Sequence, residues 1–249
     1  MNAPAAPGWL RRARPLLGTL VEIGVAREAG ADAGLQAAFA AVQQVQDCMS
    51  RFAPDSDVAR FAALPAGQCM SVAPETAEVL QAARALQQAS GGLFDITQGR
   101  APHGWHCDGL SLHKRSDAAA FDLGGIAKGY AVDCAVRSLQ RLGCGGGWVN
   151  AGGDLRAFGP VQVPVLLRDE EGDSLRPFLQ LGDGAFATSR LGARWRSQAW
   201  VAGGRDVNVH VSVAAPLCLW ADALTKIVAA SGDAHHPLLQ AHGARAWLH

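Results

Sequence analysis

No charge of either sign dominates this sequence. Its 22 Lys and Arg residues balance 22 Asp and Glu residues, so the formal net charge is zero. Without a basic excess, no nucleic acid is expected as a partner; without a long charge run, no charged disordered tail is expected. Long hydrophobic runs are missing as well, and no stretch approaches the roughly 20 apolar residues of a membrane span. The N-terminus, MNAPAAPGWLRRARPLLGTL, lacks the apolar segment of a signal peptide and has no small-residue-plus-Cys lipid-attachment site. These absences predict a soluble, cytoplasmic chain. CxxC spacing is also absent. The six cysteines, at 48, 69, 107, 134, 144 and 218, are scattered, and Cys134 and Cys218 sit in apolar settings. That predicts buried free thiols in place of a disulfide framework. Finally, GCGGGWVNAGG does not fit GxGxxG, so there is no Rossmann fingerprint.

What is present is apolar substance: 49% of the 249 residues are hydrophobic, enough for a sizeable core. Residues 1–14, rich in Pro, Ala and Arg, are expected to be disordered, with a single domain over residues 15–249. Val21, Ile23 and Val25 alternate as on a half-buried strand. Leu35, Phe39, Val42, Val45 and Met49 recur at helical spacing over residues 33–50. Pro74 opens another helix that stops near Ser90-Gly91-Gly92. A third helix is expected from about Ile126 to Leu142 and a fourth from Trp220 to Ser231. Trp148 to Phe158 reads as strand, GGD turn, strand; residues 161–167 alternate, with Pro164 marking an edge; residues 207–213 alternate strictly. Residues 99–117 read as irregular. Helices and strands mix without a βαβ rhythm, which predicts an α+β fold with helices flanking largely antiparallel or mixed sheets.

The chemistry concentrates in residues 121–159. Asp122 precedes Gly124-Gly125, Lys128 follows within the first turn of a helix, and Asp154 sits in a later GGD. Glycines admit close backbone approach, and a helix N-terminus with an ammonium favours an anion. A cap for Asp122 and a solvated face for Lys128 are the plainer readings of the same residues. Phe94-Asp95-Ile96-Thr97 places a carboxylate and a hydroxyl at a helix-to-loop junction, where both also serve as turn formers. Asp222 begins a helix with Thr225 on the same face, a pair of oxygens suited to a hard cation such as Mg²⁺ or to simple capping. His103, His106, Cys107 and Asp108 are competent zinc ligands, although adjacent His-Cys is unusual and a polar loop is the simpler reading.

Taken in order, PLLGTLVEIGV, MSRFAPDSDVARF, GGLFDITQG, DLGGIAKGYAVD with VNAGGD, AFATS, and VAAPLCLWADALTK resemble the successive motifs of the ApbE-type FAD:protein FMN transferases. The match runs from about residue 15 to 232, nearly the whole chain. The resemblance implies an ApbE-like fold and a reaction in which FAD is cleaved at its pyrophosphate. FMN passes to a threonine hydroxyl of an acceptor flavoprotein and AMP is released, with Mg²⁺ neutralising charge at the phosphates. By the motif positions it implies FAD contacts at Leu17, Phe52, Leu93, Phe94, Asp95, Asp122 and Lys128. It implies magnesium ligands at the Gly125 carbonyl, Asp222 and Thr225, and catalytic roles for Asp222 and Lys226. Members of this family are often exported.

Two departures stand out. The family's last helix carries Thr four residues after its metal-binding Asp; here that position is Lys226, with Thr225 one residue early. An ammonium cannot coordinate Mg²⁺, though it can supply positive charge at phosphates. The family's His-Ile-x-Asp-Pro segment has no counterpart in residues 190–206, and its TSG turn is Thr188-Ser189-Arg190. The alternative reading is a catalytically impaired homologue that binds flavin or a partner and has lost the usual metal and base arrangement.

Overall fold

The structure is a computed structural model that describes residues 8–168, 175–191 and 209–249. In chain order the elements are β1 (Trp9–Leu16), β2 (Thr19–Ala26), α1 (Ala31–Met49), α2 (Asp57–Ala63), β3 (Cys69–Ser71) and α3 (Pro74–Ala89). Then come β4 (Trp105–Asp108), β5 (Ser111–Lys114), α4 (Ala127–Arg141), β6 (Gly147–Ala151), β7 (Asp154–Phe158) and β8 (Val163–Arg168). The rest are β9 (Leu175–Leu181), β10 (Gly184–Leu191), β11 (Val209–Ala215), α5 (Cys218–Ser231), α6 (Pro237–Ala241) and β12 (Arg245–Leu248).

Among the described residues the main sheet runs β1-β2-β6-β7-β10-β11-β12, antiparallel throughout. Alternation decides which face is dry. Val21, Ile23 and Val25 of β2 and Val149 and Ala151 of β6 are all fully buried. Side chains of one parity along a strand share a face, so these positions build one wall of the core. Helices α1, α4 and α5 cover that wall. Each buried Val or Ile contributes roughly 1.5–3 kcal/mol relative to exposure. On the opposite face the β8–β9 ribbon packs Val165, Leu167 and Leu181 against Leu155 and Phe186. The α+β expectation is met, with helices on one face and a ribbon on the other.

Two local features set the site. Leu17 and Gly18 close the β1–β2 hairpin with φ of 55° and 69°, a two-residue turn whose hand suits the strand twist. At the other, α4 and α5 approach so closely that a Cβ on Gly129 would lie 2.3 Å from the Cys218 carbonyl oxygen. Only glycine fits there.

The structure departs from the sequence reading in three places. Strand β1 starts at Trp9, inside the segment read as disordered; residues 1–7 lie outside the described residues. Only Leu10 of β1 is buried, and an edge strand bearing Arg11, Arg12 and Arg14 has no apolar alternation to detect. Residues 99–117, read as irregular, contain β4 and β5 paired beside β3. Thr188, Ser189 and Arg190, expected in a turn, lie within β10. Residues 192–206, most of the stretch that replaces the family's His-Ile-x-Asp-Pro segment, fall outside the described residues. Among the described residues no helix is long and apolar enough to cross a membrane.

Candidate functional site

A cavity of about 440 Å³ opens where the β1–β2 turn, the loop after α1 and the N-terminus of α4 meet. Leu17, Phe52, Asp122 and Lys128 line it, brought together from three separate segments. Each is held by a nameable contact. Leu17 sits in the left-handed region, uncommon for a branched side chain, and its N–H donates to Gln46 Oε1 at 2.6 Å. Phe52 is 83% exposed, and the Arg51 guanidinium lies 4.8 Å from its ring centroid. A flat apolar ring left in water at a cavity mouth suits an aromatic ligand. Asp122 Oδ1 accepts from the Gly124 N–H at 2.9 Å, and Oδ2 accepts from Gln98 Nε2 at 2.8 Å. Asp122 therefore shapes the Gly-Gly turn; the N-cap position of α4 is Ile126.

The other residues expected to hold FAD stand apart from this lining. Phe94 is fully buried in the core, and Leu93 packs against that core half-buried. Asp95 is spent on its own loop: Oδ1 accepts from the Thr97 N–H, Oδ2 from the Gly99 N–H, and both accept from Thr97 Oγ1, each at 2.9 Å. This is turn chemistry. The loop still bears on the site, because the Asp122 N–H donates to the Ile96 carbonyl at 2.8 Å.

Behind the cavity lies a buried charge cluster. Lys128 forms an ion pair with Asp154, which is 2% exposed. Asp222 is fully buried; its Oδ2 accepts from the Gly129 N–H at 3.3 Å and its Oδ1 from Lys226 Nζ at 2.5 Å. Burial pulls the Lys128 ammonium down, but Asp154 and Asp222 outweigh it, so its pKa is raised and it stays charged. Burial, with the Asp222 charge added, raises the Asp154 carboxyl against the pull of the lysines. Burial also pushes Asp222 up, yet Lys128 and Lys226 prevail and hold it below the usual carboxylate range.

Asp133 positions α5 and escaped the sequence reading. Its Oδ1 accepts from the Cys218 N–H at 3.0 Å and its Oδ2 from the Leu219 N–H at 2.9 Å, so a carboxylate of α4 caps the first turn of α5. Arg156 Nη1 donates to the same carboxylate at 2.6 Å. An acid amid the apolar positions of GYAVDCAV was the available signal. Gln46, Arg51 and Ser189 were missed as well; none carries a spacing that marks it.

The side-chain oxygens expected to hold magnesium, on Asp222 and Thr225, are engaged by an ammonium. Lys226 Nζ donates to Asp222 Oδ1, to Thr225 Oγ1 at 3.0 Å, and to Ser189 Oγ at 2.7 Å. Gly125 is buried just before α4. A divalent ion about 3 Å from that ammonium would meet repulsion on the order of 10 kcal/mol even at an effective dielectric near 20. With Lys226 in this position the residues do not fit a divalent metal. The zinc alternative also fails on geometry. Successive residues of β4 point to opposite faces, which separates His106 from Cys107. Among the described residues no group of three His, Cys, Asp or Glu side chains is arranged to hold a metal. A second cavity of about 430 Å³, lined by Arg84, His103, His106 and Arg115, lies apart from the glycine-lysine signature.

Comparison with known proteins places the chain among relatives of one description. A protein of Vibrio cholerae serotype O1 (strain ATCC 39541 / Classical Ogawa 395 / O395) described as FAD:protein FMN transferase is 25% identical over 238 residues, covering 77% of this chain and 71% of that protein. One from Rhodobacter capsulatus with the same description is 29% identical over 177 residues, covering 58% of this chain but only 34% of the relative. The solved structure of flavin transferase ApbE from Vibrio cholerae matches with a TM-score of 0.84 at 21% identity, over 98% of this chain and 94% of that one. The apo form of Pseudomonas stutzeri flavinyl transferase ApbE also reaches 0.84, at 22% identity, over 99% of this chain and 92% of that one. These structures share the fold. The ApbE family model matches residues 17–114 and 101–247, a span that holds every residue of the cavity and the charge cluster, and the chain belongs to the ApbE family.

Proposed function

We propose that this chain is an FAD:protein FMN transferase that moves FMN from FAD to a threonine hydroxyl of an acceptor flavoprotein. The observation that carries this reading is the convergence of Leu17, Phe52, Asp122 and Lys128 on one cavity. The relatives described as FAD:protein FMN transferases support it. In the reaction, a bond forms between the threonine Oγ and the flavin-side phosphorus. The bond to the bridging oxygen breaks, AMP leaves with that oxygen, and the hydroxyl proton is released to solvent. Phe52 offers a ring face to the flavin or adenine at the cavity mouth. Lys128, fixed by Asp154, places positive charge where the pyrophosphate enters, and the α4 N-terminus adds its dipole. Asp222 and Lys226 set the field behind Lys128. Magnesium, implied by the family resemblance, has no step in this reading, because the two side chains that would hold it, Asp222 and Thr225, are bonded to Lys226.

The test is direct. Purified protein, FAD and a threonine-bearing acceptor domain are incubated, with AMP followed by chromatography and the acceptor by mass spectrometry. Transfer yields AMP and flavin-modified acceptor in equal amounts. FAD binding without AMP or modified acceptor would instead support the catalytically impaired homologue, the reading favoured by the ammonium held among Asp222, Thr225 and Ser189.

A further inference from the structure

Lys226 is enclosed by oxygen in the manner of a bound cation. Its Nζ lies 2.5 Å from Asp222 Oδ1, 2.7 Å from Ser189 Oγ, 3.0 Å from Thr225 Oγ1 and 3.1 Å from the Asp222 carbonyl oxygen. These oxygens come from β10 and α5 and are tied to each other. The Ser189 and Thr225 hydroxyls are 2.7 Å apart, and Thr225 Oγ1 donates to the Asp222 carbonyl at 2.7 Å. The enclosure is deep: Asp222 and Thr225 are fully buried and Lys226 is 5% exposed. An ordinary Asp-Lys pair at i,i+4 on a helix needs only its carboxylate contact. Here a carboxylate, two hydroxyls and a carbonyl converge on one buried nitrogen, the hard-oxygen set that otherwise takes a hard metal ion. The fourth position after Asp222 supplies the cation from within the chain.

We propose that Lys226 is the resident cation of this oxygen cage, so that the protein binds no divalent cation at Asp222 and handles FAD without one. The second half rests on the proposed function; the first half stands alone. Thr225 falls one residue early against the family pattern. Its hydroxyl still enters the cage, but as a partner of an ammonium.

The experiment titrates chelator-treated protein with Mn²⁺ and follows free Mn²⁺ by electron paramagnetic resonance. Wild type is expected to leave added Mn²⁺ free. Lys226→Thr, and independently Lys226→Ala, each shown to be folded by circular dichroism, are expected to take up a single equivalent that is lost when Asp222→Asn is added. Stoichiometric uptake by wild type that Asp222→Asn abolishes would overturn the proposal, as would failure of both folded Lys226 variants to bind Mn²⁺. In a second arm, FAD is titrated by flavin fluorescence in EDTA and in Mg²⁺. Wild-type affinity is expected to agree within about twofold between buffers, and a strengthening of about tenfold or more by Mg²⁺ would contradict the inference. Absence of FAD binding in both buffers would count against the proposed function alone, and the Mn²⁺ arm would still decide this one.

Discussion

In the proposed function, Lys128 is the residue on which the cavity's chemistry turns. Its ammonium lines the space while its partner Asp154 is sealed behind it. Hydrogen bonds to charged groups contribute roughly 1.5–3 kcal/mol, so Lys128→Met is expected to weaken FAD binding about 10- to 100-fold in a fluorescence titration. That variant strands a buried carboxylate and is expected to melt lower. Adding Asp154→Asn is expected to restore the melting temperature without restoring FAD binding. Recovery of binding in the double variant would show that Lys128 matters only for stability. The glycines before Lys128 mark it in the sequence. Its pairing with Asp154 is not marked, because the acid arrives 26 residues later through the β6–β7 hairpin. Asp95 shows the converse: a motif position that looks like a ligand and closes its own loop.

The thiols give a prediction at the same scale. Burial, then the nearby Asp57 charge, pushes Cys48 up to about 11, and burial brings Cys134 to about 11. At pH 8 a thiol with such a pKa is thiolate to about one part in a thousand. Cys69 is exposed. Iodoacetamide at pH 8 is expected to modify Cys69 first and to leave Cys48, Cys134 and Cys218 intact in a peptide map. The Cys48 and Cys134 thiolate fractions rise as pH climbs toward 11. Early labelling of Cys134 at pH 8 would contradict the packing of α4 against the core.

At the scale of elements, the α4–α5 junction holds the charge cluster together. Gly129 permits the approach, Asp133 caps α5, and the fit sets Asp222 against the Gly129 N–H, next to Lys128. Gly129→Ala drives a methyl group into the Cys218 carbonyl; overpacking of this kind costs about 1–3 kcal/mol. It is expected to lower the melting temperature by roughly 5 °C and to weaken FAD binding as well, since Lys128 is the preceding residue. An unchanged melting curve would mean the helices are further apart than described. The amphipathic helices and the alternating strands β2 and β11 were legible because their apolar period is long enough to detect, and β6 and β7 because the GGD turn separates them. Strands β1, β4 and β5 were not: β1 is an arginine-bearing edge, and β4 and β5 are four residues each with His, Asp and Ser among them. Their pairing is set by neighbours, and no local pattern announces it.

For the whole molecule, the β1–β2 hairpin turn at Leu17, the loop after α1 at Phe52 and the turn before α4 at Asp122 meet at one rim, with α4 beneath. The motifs along the chain name four residues that meet at that rim, Leu17, Phe52, Asp122 and Lys128, but give nothing of the interior contacts. Which oxygens meet Lys226 depends on how β10 slides against α5, a tertiary distance that spacing along a helix does not encode. The central claim is that FAD occupies the cavity at Lys128. A crystal structure of the protein with FAD tests it most directly. The account predicts an aromatic ring of FAD against Phe52 and the pyrophosphate within hydrogen-bonding reach of Lys128 Nζ and the Gly124-Gly125 turn. FAD in the Arg84 and His103 cavity, or a pyrophosphate remote from Lys128, would contradict it.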